Sequence, residues 1–192
     1  MPTPNPQAMD FLLSRRSRPA KTLTGPAPDR AALLPLLTAA ARTPDHGKLE
    51  PWRFIVLERG ALDRVAEAVT ARAAALEIEP EQAAKARAAF ADSPLCVAVI
   101  EVQKDSPKIP PLEQTYSAGA VCLALLNAAL ASGWGANWLT GWASHDRAFV
   151  AETLGLAENE RVAGFVHIGT ETSAPPERPR PDLEAITTWM DA

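Results

Sequence analysis

Apolar and polar positions divide the chain into segments of helical and extended spacing. Apolar residues recur every three to four positions from Leu33 to Ala41 and from Leu62 to Leu76. A third, alanine-rich segment begins with Pro80 and extends to about Phe90. These patterns predict three helices. Trp52 to Leu57 alternates and then becomes apolar, whereas Leu95 to Val102 is continuous and β-branched. Both runs predict strands, so we expect an α+β domain.

The longest apolar helix is predicted from Glu113 to Ser132, where Gly133 ends it. Its apolar stretch from Ala118 to Ala131 is shorter than the roughly 20 residues that cross a bilayer. A helix that is apolar nearly all round has no solvent face in a small monomer. We therefore expect it to be covered on all sides in a homodimer.

Capping residues and prolines mark the other elements. Asp29 is a predicted N-cap, and Pro35 predicts either a kink or a later start for the helix that follows. Residues 1–8 are expected to form a disordered or extended leader, residues 9–192 a single domain, and residues 173–192 an extended proline-rich arm. The remaining predicted elements are a helix from Met9 to Ser17, a short strand or turn from Asn137 to Thr140, a helix capped by Ser144 that runs to Leu154, and a strand from Val162 to Ile168.

Composition narrows the class of protein. The chain has 192 residues and a formal net charge of −4, which gives no basic surface for nucleic acid or anionic membranes. Cys96 and Cys122 both lie in apolar runs and are expected to be small buried hydrophobes in a reducing compartment. Because the first residues do not have the pattern of a secretory signal, we expect a cytoplasmic protein.

Several kinds of active site are disfavoured by the motifs. His46, His145 and His167 do not have the spacing of zinc ligands, and the sequence lacks a nucleophile elbow and a phosphate-binding P-loop. Gly133-Trp134-Gly135 follows a helix, whereas a dinucleotide fingerprint follows a strand. The sequence therefore predicts no metal site and no catalytic nucleophile.

Three polar clusters lie at the ends of predicted elements. Arg15-Arg16-Ser17 suits a phosphate, although spacing alone favours a solvated helix end. The loop from Arg42 to Trp52, which contains His46, suits an electron-rich heteroaromatic ring or is simply solvated. The segment from Gly133 to Trp142 holds three tryptophans among three glycines, which favours either a planar ligand or a core turn.

The order of these blocks resembles the nitroreductase family, and within it the small NAD(P)H nitroreductases. Arg-Arg-Ser at 15–17 precedes Arg-Thr-Pro-Asp-His at 42–46 and Pro-Trp-Arg-Phe at 51–54. Ser-Ala-Gly at 117–119 then opens the apolar helix, and Gly-Trp-Gly-Ala-Asn-Trp follows at 133–138. The resemblance extends from about Met9 to Gly169.

The resemblance implies a central, mostly antiparallel sheet surrounded by helices, in a domain-exchanged homodimer with FMN at the subunit interface. It implies ping-pong transfer of a hydride from NADH or NADPH to FMN, and then of electrons to a nitroaromatic, quinone or similar acceptor. No side chain would act as a catalytic group. The residues implied to bind FMN are Arg15, Arg16, Ser17, Arg42, His46, Trp138, Leu139 and Thr140. Of these, Arg42 and His46 are implied to reach the flavin from the other subunit.

The resemblance also implies roles for residues outside this set, and two positions depart from the family pattern. Ala128 is at the position where members of the family contact NAD(P), and Arg178 or Arg180 is expected to add a phosphate contact. The resemblance implies a Gln at position 50 and an Arg at position 139, where this chain has Glu50 and Leu139. How tightly the chain binds the cofactor therefore stays open. The acceptor and the choice between NADH and NADPH also stay open.

Two alternative functions remain at this point. One is a flavin enzyme of the same fold with dehalogenating or flavin-fragmenting chemistry. The other is a non-catalytic dimeric binding module that presents Trp134, Trp138 and Trp142 to a partner.

Overall fold

A computed structural model describes residues 3–191, so the parts of the leader and arm predictions that concern residues 1, 2 and 192 lie outside the described residues. The helices are α1 (Pro6–Ser14), α2 (Arg30–Ala40), α3 (Arg59–Ala75), α4 (Pro80–Ala91), α5 (Pro111–Ala131), α6 (Trp142–His145), α7 (Arg147–Leu154) and α8 (Leu183–Ile186). The strands are β1 (Leu23–Thr24), β2 (Trp52–Leu57), β3 (Cys96–Val102), β4 (Gly135–Leu139) and β5 (Glu160–Glu171).

The five strands form one sheet in which every described pairing is antiparallel, as predicted. β5 pairs with β1, β3 and β4, and β2 pairs with the other side of β3. In the register, His167 of β5 lies opposite Cys96 of β3 and Asn137 of β4. The long strand β5 therefore joins the core of the sheet to the segment that carries Trp138.

Helices cover both faces of the sheet, which explains the continuous apolar run of β3. Cys96, Ala98 and Ile100 pack in a cluster with residues of α3, α4 and α7. Val97 and Val99 pack on the opposite face with residues of α2 and α5. Because successive side chains of a strand point to opposite faces, a strand that is buried on both sides needs an apolar residue at every position.

Helix α1 corrects the predicted leader and the predicted helix of residues 9–17. It begins at Pro6 because the Asn5 side chain accepts a hydrogen bond from the Ala8 backbone and caps it. It ends at Ser14, and Arg15 already has extended geometry, with φ −56° and ψ 143°. Residues 15–17 therefore follow the helix instead of closing it.

Other boundaries also differ. Asp29 caps α2 as predicted, but the helix starts at Arg30 and continues through Pro35. Asp146 caps α7 by accepting from the backbone of Phe149, so the predicted cap at Ser144 is wrong. Strands β4 and β5 are longer than predicted, β1 is additional, and the arm contains the short helix α8.

Helix α5 is covered by its own chain on one face. By length and a mean hydropathy of 1.2, it is the one helix among residues 3–191 that could cross a membrane, yet its apolar face packs against the sheet. Tyr116 and Leu123 are exposed on its other face. The expectation that α5 is covered on all sides in a homodimer therefore stays a prediction, since one chain leaves this face open.

Candidate functional site

The segment after α1 lies alongside β4 and brings two of the predicted clusters together. The Arg18 backbone N–H donates to the Ala136 carbonyl at 2.8 Å, and the Asn137 amide donates to the Arg18 carbonyl at 2.7 Å. Arg18 also pairs with Glu171 of β5 at 3.0 Å. These contacts hold the extended residues 15–17 beside the strand that ends in Trp138 and Leu139.

Positive charge is concentrated in this segment without a carboxylate to balance it. Arg15 donates to the Ser17 hydroxyl at 3.0 Å, and neither Arg15 nor Arg16 forms an ion pair within the part of the chain that the structure describes. The Nε atoms of both residues are buried without a hydrogen-bond partner among residues 3–191. Such orphaned donors favour an anionic ligand that accepts several hydrogen bonds.

The C-terminal arm adds to this positive charge. Burial lowers the pKa of Arg15, and the charges of Arg180 and Arg16 lower it further. Arg180 itself pairs with Glu177 at 2.7 Å. Arg180 is thus placed near Arg15 within one chain, whereas no described contact ties Arg178 to the cluster.

The Trp138 indole covers Gly164 of the neighbouring strand. A Cβ atom at Gly164 would overlap the indole Nε1 and Cδ1 atoms, so only glycine leaves room for this packing. Trp138 remains 37% exposed, Leu139 is half-buried and Thr140 is exposed. The segment therefore offers a supported surface for a planar ligand. Sequence reasoning missed Gly164, because only the register of β4 on β5 reveals the contact.

The other two tryptophans of this region belong to the core. Trp134 packs in the cluster on the α5 side of the sheet. Trp142 packs in the opposite cluster, with its ring centroid 6.1 Å from that of Phe149. The three tryptophans therefore do not form one surface, which removes the basis of the proposed partner-binding module.

The predicted loop cluster forms a separate group at the other end of α5. His46 Nδ1 lies 2.6 Å from a carboxylate oxygen of Glu113, while Arg42 and Glu50 are exposed. The turn needs a glycine at Gly47, where φ is +76° and the side chain of Ile109 occupies the space of a Cβ atom.

The two groups are not brought together within one chain. Glu113 lies in the first turn of α5, whereas Ala136, which anchors Arg18, lies just beyond its last turn. Glu113 and Ala131 are separated by 18 residue steps, which span about 27 Å at about 1.5 Å per residue. Ala128 lies on the last turns of the same helix, half-buried against the α5-side core.

The cysteines lie away from these groups. Cys96 and Cys122 are both free and fully buried, as predicted. Burial raises the pKa of both thiols, that of Cys122 to about 12. No group of three or more potential metal ligands is found across residues 3–191.

Comparisons with known proteins show what this chain resembles in sequence and in fold. The sequence profile of the Nitroreductase family matches residues 12–170. The "Putative NAD(P)H nitroreductase YdjA" of Escherichia coli strain K12 is 34% identical over 163 residues, which are 85% of this chain and 87% of the relative. A nitroreductase-like family protein from Bacillus cereus superposes with a TM-score of 0.81 at 23% identity, covering all of both chains. The Y88A mutant of NfnB, an FMN and NADPH-dependent nitroreductase from Sphigopyxis sp. strain HMH, has a TM-score of 0.77 at 20% identity, covering 95% of this chain and 98% of that one.

Proposed function

The chain belongs to the nitroreductase family, and on that premise we propose that it is an FMN-dependent NAD(P)H oxidoreductase that acts in the cytoplasm. Bound FMN would supply the redox chemistry that couples oxidation of NADH or NADPH to reduction of an acceptor such as a nitroaromatic or a quinone. We assign this activity to a single domain over residues 9–192. The chain itself binds and orients the reactants, and no side chain acts as a nucleophile.

One observation carries the proposal: Arg15 and Arg16 bury Nε donors that no described residue satisfies. A phosphate monoester is a dianion with several acceptor oxygens, and guanidinium groups bind such oxygens in pairs. Ser17, already oriented by its contact with Arg15, adds a hydroxyl. These residues fit the phosphate end of FMN, with Arg180 contributing positive charge from the arm.

The ring of the cofactor is assigned to the adjacent segment of β4. Trp138, fixed by its packing on Gly164, and the following Leu139 and Thr140 would line the isoalloxazine and restrict access of water. Leu139 is apolar where the family resemblance implies an Arg, so this chain would rely more on Arg15 and Arg16 to hold the flavin. Ala128, on the nearby end of α5, is the proposed contact for NAD(P)H.

The remaining flavin contacts are assigned to a second copy of the chain. Arg42 and His46 lie at the opposite end of α5 from Arg18, too far for one FMN to join both groups within a chain. A two-fold axis near the middle of an antiparallel α5 pair brings the start of one helix beside the end of the other. The exposed Tyr116 and Leu123 supply an apolar contact for that homodimer. Exchange of the terminal arms between its subunits is part of the proposal on the family resemblance alone, since Arg180 of the arm lies near Arg15 of its own chain.

Phosphate recognition tests the assignment directly. We expect wild-type protein to bind FMN at least about tenfold more tightly than riboflavin, which lacks the phosphate, because charge-assisted hydrogen bonds are lost. Arg16→Ala removes most of that preference, whereas Arg64→Ala, which removes an exposed guanidinium that contacts only its own helix, leaves it unchanged. Equal FMN affinity in wild type and Arg16→Ala would show that the phosphate is bound elsewhere.

A further inference from the structure

The His46 imidazole is exposed to solvent, yet one of its two nitrogens is held in place. Its Nδ1 lies 2.6 Å from Oε2 of Glu113, a residue of the first turn of α5. The two residues are 67 positions apart along the chain, and their side chains remain 62% and 45% exposed. A pair this exposed adds little to the free energy of folding. Its main effect is therefore on the direction in which the imidazole ring points.

The backbone of the loop fixes where the His46 side chain begins. Gly47, Lys48 and Glu50 all have left-handed φ angles, of +76°, +56° and +48°. The Asp45 carboxylate stabilises this conformation by accepting from the Glu50 backbone N–H at 3.0 Å. Residues other than glycine adopt left-handed geometry only under constraint, and such strain collects at functional sites. The loop thus has the geometry of a segment that presents a side chain to a ligand.

The contact with Glu113 also selects which nitrogen of His46 carries a proton. An ionised carboxylate only accepts hydrogen bonds, so the proton of the contact belongs to Nδ1. In the neutral ring, Nε2 is then an acceptor, and no hydrogen bond joins it to any of residues 3–191. His46 therefore offers one free, oriented acceptor.

We propose that Glu113 is a positioning residue for the flavin: it holds the Nδ1–H of His46, so that Nε2 accepts a hydrogen bond from FMN bound to the second subunit. This inference rests on the proposed function, which assigns His46 to the flavin of a second copy. FMN has two kinds of neutral donor, the ring N3–H and the ribityl hydroxyls, and both lie away from its phosphate. Glu113 acts only through His46 and does not itself touch the cofactor.

The first test uses the protein without FMN. Long-range ¹H–¹⁵N NMR spectra at about pH 9, where an ordinary imidazole is neutral, report which nitrogen of His46 carries the proton. Wild type is expected to carry it on Nδ1, and Glu113→Ala is expected to lose that preference. The control Glu67→Ala, which removes an exposed glutamate of α3, should match wild type. A wild-type ring with its proton on Nε2 would overturn the proposal.

The second test compares the affinities of wild type, Glu113→Ala, His46→Ala and the double variant for FMN and for riboflavin. Glu113→Ala should weaken the binding of both ligands at least about threefold, because the hydrogen bond that is lost does not involve the phosphate. The preference for FMN over riboflavin should therefore stay as in wild type, whereas Arg16→Ala reduces it. Once His46 is alanine, the further change Glu113→Ala should have no effect, because the two residues act as one unit.

Two results would overturn the proposal and leave the proposed function standing. One is an FMN affinity that Glu113→Ala does not change. The other is an effect of Glu113→Ala that is equally large in wild type and in His46→Ala, as expected of an acid that only stabilises the start of α5 through the helix dipole. A wild-type protein that binds neither flavin would overturn the proposed function as well.

Discussion

Protonation of His167 should destabilise the fold at mildly acidic pH. The imidazole is 1% exposed on the central strand β5. Because the Ser93 hydroxyl donates to the Leu95 carbonyl at 3.0 Å, its oxygen accepts from His167 Nδ1–H at 2.9 Å. The other ring nitrogen faces the Cys96 sulfur at 4.0 Å. This arrangement holds a neutral ring and offers no carboxylate to an imidazolium.

The magnitude follows from the shift in the pKa of His167. Burial lowers it from 6.5 to about 4. Above the unfolded value the ring is neutral in both states, and its contribution to stability is fully present. As the pH falls from 6.5 to about 4, only the unfolded chain takes up the proton. At about 1.4 kcal/mol per pH unit, this group removes about 3 kcal/mol from the free energy of unfolding.

Urea unfolding followed by tryptophan fluorescence measures this loss. Between about pH 7 and about pH 4.5, wild type should lose about 2 to 3 kcal/mol more than His167→Asn, which keeps a donor near Ser93 but cannot titrate. The control His145→Asn, which changes an exposed histidine, should lose as much as wild type. If wild type and His167→Asn lose stability equally over this range, the reasoning is refuted.

Three further substitutions have defined outcomes. Asp146→Ala removes both the cap of α7 and the two hydrogen bonds from Arg72, and should lower the free energy of unfolding by at least about 2 kcal/mol, measured by urea unfolding; no change would contradict both contacts. Hydrogen bonds from Arg53 lower the pKa of Glu160 to about 2, and Arg53→Ala removes them. The substitution should lower the free energy of unfolding by about 2 kcal/mol at neutral pH and by less below about pH 2. A loss that does not depend on pH would exclude the ion pair. Gly164→Ala should displace Trp138 and weaken FMN binding at least about tenfold, whereas Gly60→Ala should not; equal affinities would contradict the assigned ring surface.

Much of the fold could be predicted because buried positions are apolar, and the spacing of apolar residues is visible in the sequence. Strand β3 is apolar at successive positions, and the structure buries it on both faces. The prediction of an antiparallel sheet surrounded by helices is confirmed, although it came from the resemblance and not from the strand pattern. Boundaries were less predictable: the cap at Asp29 is confirmed, but Asn5 and Asp146 form caps that were not predicted, because capping depends on local backbone geometry.

The site could be predicted only as separate pieces. Arg15 and Arg16 are visible in the sequence, but the lack of a partner for their Nε atoms requires the structure. Gly164 is separated along the chain from Trp138, which it contacts, so no local pattern identifies it. The contact of His46 with Glu113 depends on how the loop returns to α5, which spacing alone does not specify.

Flavin binding and reduction by a nicotinamide test the central claim most directly. Purified protein is incubated with FMN, desalted, and then titrated anaerobically with NADH and with NADPH while its absorbance spectrum is recorded. We predict that about one FMN per chain is retained, since each pair of Arg15 and Arg16 binds one phosphate, and that its yellow absorbance is lost on addition of a nicotinamide and returns with a nitroaromatic or quinone. A protein that retains no FMN, or whose bound FMN neither nicotinamide reduces, would contradict the account.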